Sequence, residues 1–189
     1  MELTRRRLLA FGLGGTAALA CGGALSWFTL GYAVGPGDAP IGLSRKELAI
    51  VRAIVEALLP ADGDLPDGLS LGVHQRIDEE VWSAGDVLRG DLKSAIVALE
   101  HLPPLFGWPH RLTRLAPADR LAFLERALRA SPTPVVQAAT ALKQMCALFY
   151  WGRPETWGAI GYDGPWVPQR LPPSSVRYAE LLQSARGTA

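Results

Sequence analysis

The chain has 189 residues, of which 49% are hydrophobic and 20% are charged, and its formal net charge is +1. A soluble domain of this size usually carries about 25% charged residues, so part of the chain is unusually apolar. The near-neutral balance excludes a strongly basic nucleic-acid-binding protein and an acidic disordered tail. The two cysteines are too few for a disulfide scaffold or a site of four thiolates. The length allows one domain and at most one accessory segment.

The excess of apolar residues lies in the N-terminal part of the chain. Residues 8–37 carry no charge, and residues 5–7 are three consecutive arginines. Without residues 1–34 the remaining chain has a formal net charge of −1. The remainder therefore has the composition of an ordinary globular domain, and the N-terminal residues need a separate interpretation.

The N-terminal residues contain the pattern of an export signal. Arg5 and Arg6 are followed by Leu8 and Leu9, and a glycine-diluted apolar stretch comes next. This arrangement resembles a twin-arginine signal, which is an address recognised by a translocase and not a part of the fold. The resemblance implies export of a folded protein or complex across a bacterial inner membrane. The alternative is a plain membrane anchor with incidental arginines. Both interpretations place the globular body on the periplasmic side of the inner membrane.

The fate of this signal is left open by the sequence. Ala18–Ala20 satisfies a small-x-small cleavage rule, and Cys21 directly after it would also suit lipoprotein processing. Residues 8–34 could instead be retained as a membrane anchor, because about 20 apolar residues span the hydrocarbon core. In each case we divide the chain into a signal or anchor over residues 1–37 and a helical domain over residues 38–189.

The helical domain is predicted to be all-α. Ser44 and Glu47 form a capping box that begins an amphipathic helix, and Pro60 ends it. Four further helices are predicted to begin at or near Ser70, Asp91, Pro117 and Val135. The helix over Val135–Tyr150 is the most apolar, so we expect it to be central. Its broad buried face is predicted to consist of Val135, Ala138, Ala139, Leu142, Met145, Cys146 and Phe149. No alternating strand pattern of useful length appears, which predicts a bundle of about five helices.

The last fifth of the chain has a different composition. Residues 151–173 contain three of the six tryptophans and five of the fifteen prolines. We therefore expect a coil that wraps a surface, followed by a short closing helix over Ser175–Ser184. Aromatic side chains in such a coil pack on their own domain or on a partner. Trp157 and Tyr162 could do either, whereas Trp166 is the better candidate for a partner contact.

The sequence offers few groups for catalysis. His74, His101 and His110 lie in different segments without other metal ligands at suitable spacing. The acidic run Asp78–Glu80 is interpreted as a solvated helix face, and Cys146 as a buried structural thiol. No nucleophile–base pair or cofactor motif is found, so an independent enzyme is disfavoured and no cofactor is expected on this chain.

Residues 149–165 (FYWGRPETWGAIGYDGP) resemble the characteristic stretch of the gluconate 2-dehydrogenase subunit 3 family. In that family an aromatic pair, a Trp and Gly-Tyr-x-Gly-Pro recur in this order. An early helix ending in Leu-Pro, as at Leu59–Pro60, is also typical, and the similarity covers residues 40–168. The residues assigned to the family motif or a partner surface are Tyr150, Trp151, Trp157, Gly161, Tyr162, Gly164, Pro165 and Trp166.

This resemblance implies a small, non-catalytic subunit of a membrane-associated dehydrogenase. Its partner would be a catalytic subunit of the glucose–methanol–choline oxidoreductase class that carries FAD. A multihaem cytochrome c subunit often takes the electrons onward in such complexes. The small subunit would carry the export signal for its partner as well as for itself. The alternative function is a stand-alone, membrane-tethered periplasmic helical binding module.

Overall fold

Helices make up most of the part of the chain that the structure describes. The computed structural model describes residues 31–131, 133–166 and 173–187. Five longer helices come first: α1 (Arg45–Leu58), α2 (Val73–Ser83), α3 (Asp86–His101), α4 (Pro117–Ala127) and α5 (Thr133–Trp151). A single turn, α6 (Pro154–Trp157), and a C-terminal helix, α7 (Pro173–Gly187), follow. The described ranges contain no strand, so the predicted all-α class is confirmed.

Helix α1 is the most buried element of the bundle. Its capping box is formed as predicted: the Ser44 hydroxyl accepts from the Glu47 N–H at 3.2 Å, and the Glu47 carboxylate accepts from the Ser44 N–H at 2.7 Å. Eight of its fourteen residues are buried, and it contacts α2, α3, α4 and α5. The amphipathic stripe read from the sequence therefore faces the centre of the domain.

Helix α5 contacts the other four long helices but is less buried than its composition suggests. Five of its nineteen residues are buried, on one narrow stripe from Val135 to Tyr150. Ala138, Met145 and Phe149 were expected on the buried face and are only half-buried. The prediction that α5 is central is confirmed by its contacts with all four other long helices. Part of its apolar face, however, is only half-buried.

Two predicted helix starts are wrong. Ser70 does not cap α2, because its backbone N–H donates to the Asp67 carboxylate at 2.9 Å in the preceding turn. Gly72, with a φ of +69°, is the residue that precedes the helix instead. Helix α3 begins at Asp86 rather than Asp91 and continues through the exposed Gly90. A helical glycine costs only about 1 kcal/mol, which packing of α3 on its neighbours outweighs.

A buried carboxylate holds the segment that leads into α1. Asp78 on α2 is 2% exposed, and its oxygens accept from the three backbone N–H groups of residues 41–43 at 2.7–3.0 Å. The interpretation of the acidic run as a solvated face is therefore wrong for Asp78, although Glu80 is exposed. The reason is that the incoming backbone needs acceptors that no helix or sheet supplies. A Cβ atom at Gly42 would lie 2.5 Å from the Trp82 backbone nitrogen, so the two chain segments are in close contact.

A buried ion pair joins α3 to the loop before α4. The Arg111 Nε lies 3.2 Å from a Glu100 carboxylate oxygen, and both side chains are at most 2% exposed. The same carboxylate accepts from the Thr113 N–H at 3.1 Å and from its hydroxyl at 2.6 Å. Because Glu100 and Arg111 are both buried, removal of either side chain would leave the other without its ionic partner.

Candidate functional site

The candidate site lies at the C-terminal end of α5, where the helix meets the α1–α2 loop. The Tyr150 side chain is 3% exposed, and its hydroxyl donates to the Pro66 carbonyl at 2.8 Å. Burial raises the pKa of this hydroxyl, and the nearby charges of Asp67 and Asp62 raise it further. Tyr150 therefore holds the loop as a neutral hydrogen-bond donor. The Trp151 ring lies edge-on to Tyr150, with centroids 5.0 Å apart.

Arg153 and Thr156 hold the residues after α5 against the same loop. The Arg153 guanidinium donates to the Leu71 carbonyl from Nε at 3.1 Å and from Nη2 at 2.5 Å. The fully buried Thr156 hydroxyl lies 3.1 Å from the Tyr150 carbonyl oxygen and 2.9 Å from that of Arg153. These contacts place α6 directly after the end of α5. The segment predicted to be coil thus contains a helical turn.

Two aromatic side chains pair beyond α6. The Trp157 indole N–H donates to the Trp151 carbonyl at 3.1 Å. Its ring meets the Tyr162 ring edge-on, with centroids 5.1 Å apart and an interplanar angle of 75°. The Tyr162 backbone N–H also donates to the Trp157 carbonyl at 3.0 Å. Such aromatic pairs stabilise by about 0.5–1.5 kcal/mol beyond the area they bury.

Two glycines allow the backbone to close this turn. Gly161 has a φ of +66° and Gly164 a φ of +101°, a region that other residues rarely adopt. A Cβ atom at Gly164 would lie 3.2 Å from the Trp157 ring. The backbone therefore makes tight turns at both glycines. We call residues 150–166 the aromatic cap.

The outer side of the aromatic cap is exposed. The exposed fractions are 38% for Trp151, 41% for Tyr162, 53% for Ile160 and 95% for Trp166. Pro165 is exposed as well, whereas Tyr150 is buried and Trp157 is half-buried. Large aromatic side chains fixed on an ordered backbone are the groups that dominate protein–protein interfaces. The structure therefore divides the predicted set into residues that build the cap and residues on its surface.

The predicted export residues lie outside the described part of the chain. These are Arg5, Arg6, Leu8 and Leu9, together with the candidate processing site at Cys21. Within the described ranges, every helix is too short or too polar to cross a bilayer.

A buried polar cluster near α1 and α2 was not anticipated from the sequence. Asp38 binds Arg52 at 2.6 Å and the His74 Nε2 at 3.1 Å. Burial favours the neutral form of Asp38, but hydrogen bonds from His74 and Gln75 and the Arg52 charge outweigh it, so its pKa is lowered. Burial lowers the pKa of His74 despite the nearby Asp38. The contacts of Asp38 with Arg52 and His74 hold residues 35–38 against the bundle. Within this segment the Gly35 N–H donates to the Asp38 carboxylate at 3.0 Å.

The remaining candidate groups have environments that suit structural roles. Burial and the charges of Lys46 and Arg111 lower the pKa of His101 to about 4. Burial raises the pKa of the Cys146 thiol to about 12, so this thiol is unreactive at neutral pH. In the part of the chain that the structure describes, no three histidine, cysteine or acidic side chains are grouped so as to hold a metal ion.

No family model, curated protein or solved structure matches the chain.

Proposed function

We propose that this chain is the non-catalytic small subunit of a membrane-associated, FAD-dependent dehydrogenase. It escorts the catalytic subunit through twin-arginine export and stabilises it on the periplasmic side of the inner membrane. The observation that carries the proposal is the aromatic cap. Its sequence resembles the family stretch over residues 149–165, and it presents Trp151, Tyr162 and Trp166 to solvent.

The construction of the cap supports a binding role. The hydrogen bonds of Tyr150, Arg153 and Thr156 hold the first part of the cap against the α1–α2 loop, and the Trp157–Tyr162 pair holds its turn. Binding to a fixed surface avoids the entropy cost of ordering side chains and loops. Trp and Tyr also supply a large contact area with few rotatable bonds, which is why they are frequent interface hot spots.

The chemistry of the complex is assigned to the other chains. In this proposal FAD is bound by the catalytic subunit, which belongs to the glucose–methanol–choline oxidoreductase class. A cytochrome subunit with haem c would take the electrons onward. The described part of this chain contributes surface and not reacting groups.

Purification from the native cells tests the partnership. A tagged chain should bring down a flavoprotein, and the recovered protein should show flavin absorbance in a fixed ratio to the tag. Replacement of Trp166 or Tyr162 by Ala should reduce the flavin recovered by about tenfold or more, the effect of losing one hot spot. Leu105→Ala is the matched control, because Leu105 is 80% exposed and lies outside the cap. A chain that purifies without flavin under all conditions would refute the proposal.

The export signal tests the escort role separately. Changing Arg5 and Arg6 to Lys should leave both subunits in the cytoplasm, whereas Arg7→Lys should leave export intact. Fractionation followed by immunodetection of both chains provides the measurement. Export of the catalytic partner in the Arg5/Arg6 variant would contradict the escort role.

A stand-alone periplasmic binding module is the second candidate. It is favoured by an apolar groove of about 580 Å³ between α3 and α5, a volume that suits a small ligand. This alternative predicts a stable monomer that purifies without a flavoprotein, so the same purification distinguishes the two functions.

A further inference from the structure

Among the residues that the structure describes, an apolar groove lies between α3 and α5. Leu88 and Leu92 lie one turn apart on the α3 side, and Ala141, Met145 and Leu148 follow an i, i+4, i+7 spacing on the α5 side. Residues at these spacings form one stripe along a helix. The groove has a volume of about 580 Å³ and is lined by Glu80, Ala84, Leu88, Leu92, Ala141, Gln144, Met145, Leu148 and Phe149.

Two of the three leucines that line the groove, Leu88 and Leu148, are unusually exposed. The exposed fraction is 55% for Leu88 and 68% for Leu148, and the adjacent Val87 is 82% exposed. Exposed aliphatic side chains that adjoin one another mark interaction sites more often than isolated ones do. Of the apolar face predicted for α5, Met145 and Phe149 line this groove, whereas Leu148 lies outside that face.

The groove is continuous with the aromatic cap. Leu148 and Trp151 lie three residues apart on α5, and residues at this spacing are neighbours on a helix surface. Trp151 in turn accepts the hydrogen bond of the Trp157 indole. One apolar surface therefore extends from α3 across α5 to the cap.

The charge at the border of the groove is negative. Glu80 is exposed and is the charged residue among the described lining side chains. Asp91 is also exposed and lies one turn beyond Leu88 on α3. The neighbouring Arg89 donates to the carbonyls of Val81, Trp82 and Ala84 at the end of α2. Arg76, near Phe149, is paired with Glu79 at 2.5 Å. The border of the groove thus exposes the carboxylates of Glu80 and Asp91 to solvent. The guanidinium groups of Arg89 and Arg76 are engaged in bonds within this chain.

The backbone of the groove favours a helical ligand over an extended one. Both walls are α-helices, whose N–H and C=O groups are bonded within each helix. An extended segment would find no sheet edge to pair with, whereas a helix satisfies its own backbone groups and needs only side-chain contacts.

We infer that the groove receives an amphipathic helix of the flavin-bearing partner, with lysine or arginine beside its apolar stripe. This inference rests on the proposed function and adds a second contact region to the aromatic cap. The apolar residues of this partner helix enter between Leu88 and Leu148, and its basic residues pair with Glu80 and Asp91.

Variants in the full chain, purified with its partner, test the two parts of the inference. Leu148→Gln should reduce the flavin recovered per tagged chain by about tenfold, an effect of lost apolar contact. Leu105→Gln, at a leucine that is 80% exposed and lies outside the groove, should leave recovery unchanged. Glu80→Gln should weaken recovery, and Glu80→Lys should weaken it further because it repels a basic flank. Equal recovery for wild type, Leu148→Gln and Glu80→Lys would overturn the inference while leaving the proposed function intact. Absence of flavin with the wild type would instead refute the proposed function.

Photo-crosslinking identifies the occupant directly. A benzophenone amino acid at position 88 should crosslink to a peptide of the flavin-bearing chain that has helical apolar spacing and flanking basic residues. A crosslink to a second copy of this chain, or to lipid alone, would overturn the inference.

In the recovery experiment only variants with unchanged thermal unfolding are compared, so that a loss of recovered flavin reports on the surface and not on the fold.

Discussion

Replacement of Asp78 by Ala should strongly destabilise the body, because it removes the acceptor for three backbone N–H groups at once. These N–H groups belong to residues 41–43 and lie 2.7–3.0 Å from the carboxylate oxygens. A hydrogen bond to a charged group contributes about 1.5–3 kcal/mol, and water can replace part of this in the partly exposed segment. We therefore expect the free energy of unfolding to fall by about 3–5 kcal/mol, similar to the loss of one partner of a buried charge pair. Domains of this size have a total stability of about 5–15 kcal/mol, so the effect is large.

Urea unfolding followed by tryptophan fluorescence measures this loss. Glu80→Ala is the matched control on the same helix, because Glu80 is exposed and should change stability by no more than about 0.5 kcal/mol. Gly42→Ala provides an independent test of the same contact, since its Cβ would lie 2.5 Å from the Trp82 backbone nitrogen. A loss below about 1 kcal/mol for Asp78→Ala would refute the role assigned to this carboxylate, given the usual worth of a single neutral hydrogen bond.

Three further predictions concern the core and the cap. The pKa of His101 is about 4 in the folded state and 6.5 in the reference state, so only the unfolded chain gains this proton between those values. The free energy of unfolding should therefore fall as the pH drops from 6.5 to 4. Over this range the urea midpoint of His101→Gln should fall by less than that of the wild type. The Cys146 thiol, with a pKa of about 12 and 1% exposure, should react with a thiol reagent at pH 8 only on unfolding, measured in a Cys21→Ser background. Gly164→Ala should cost about 1–3 kcal/mol in urea unfolding, because an alanine there is strained and presses on the Trp157 ring.

Each of these predictions has a clear contrary result. An unchanged pH dependence in His101→Gln would show that this histidine does not titrate between pH 6.5 and 4 with folding. Rapid labelling of Cys146 in the native protein would contradict its burial. A Gly164→Ala variant as stable as wild type would mean that the backbone there relaxes without strain; Gly158→Ala, at a glycine with negative φ and open space around it, is the control.

The elements that could be predicted from the sequence are those governed by local patterns. The start of α1 follows from Ser44 and Glu47 because a capping box needs only residues three apart. The start of α4 at Pro117 follows from the fixed φ of proline. The start of α3 was missed because the local cost of Gly90 suggested a break, and tertiary packing overrides that cost.

The polar contacts could not be predicted, because they join segments that are distant in sequence. Asp78 binds a backbone segment 35–37 residues away, and nothing in the run Asp78–Glu80 indicates which carboxylate is buried. Glu100 and Arg111 pair only once α3 and the following loop are folded. In the aromatic cap, composition indicated a surface-covering segment. The pairing of Trp157 with Tyr162 depends on turns at glycine that the sequence permits without specifying.

The bonds between the α1–α2 loop and the end of α5 also set an order of folding during synthesis. Tyr150 binds the Pro66 carbonyl and Arg153 binds the Leu71 carbonyl, across 84 and 82 residues of chain. At a translation rate of about 5–20 residues per second, the loop is made roughly 4–17 s before its partners. During that interval the Pro66 and Leu71 carbonyl groups lack these two donors, and the loop keeps only its local bonds, such as that from the Gly68 N–H to the Leu59 carbonyl at 2.9 Å. The N-terminal half of the body is therefore completed by residues from its C-terminal half, and a nascent chain that ends before Tyr150 lacks both of these long-range bonds.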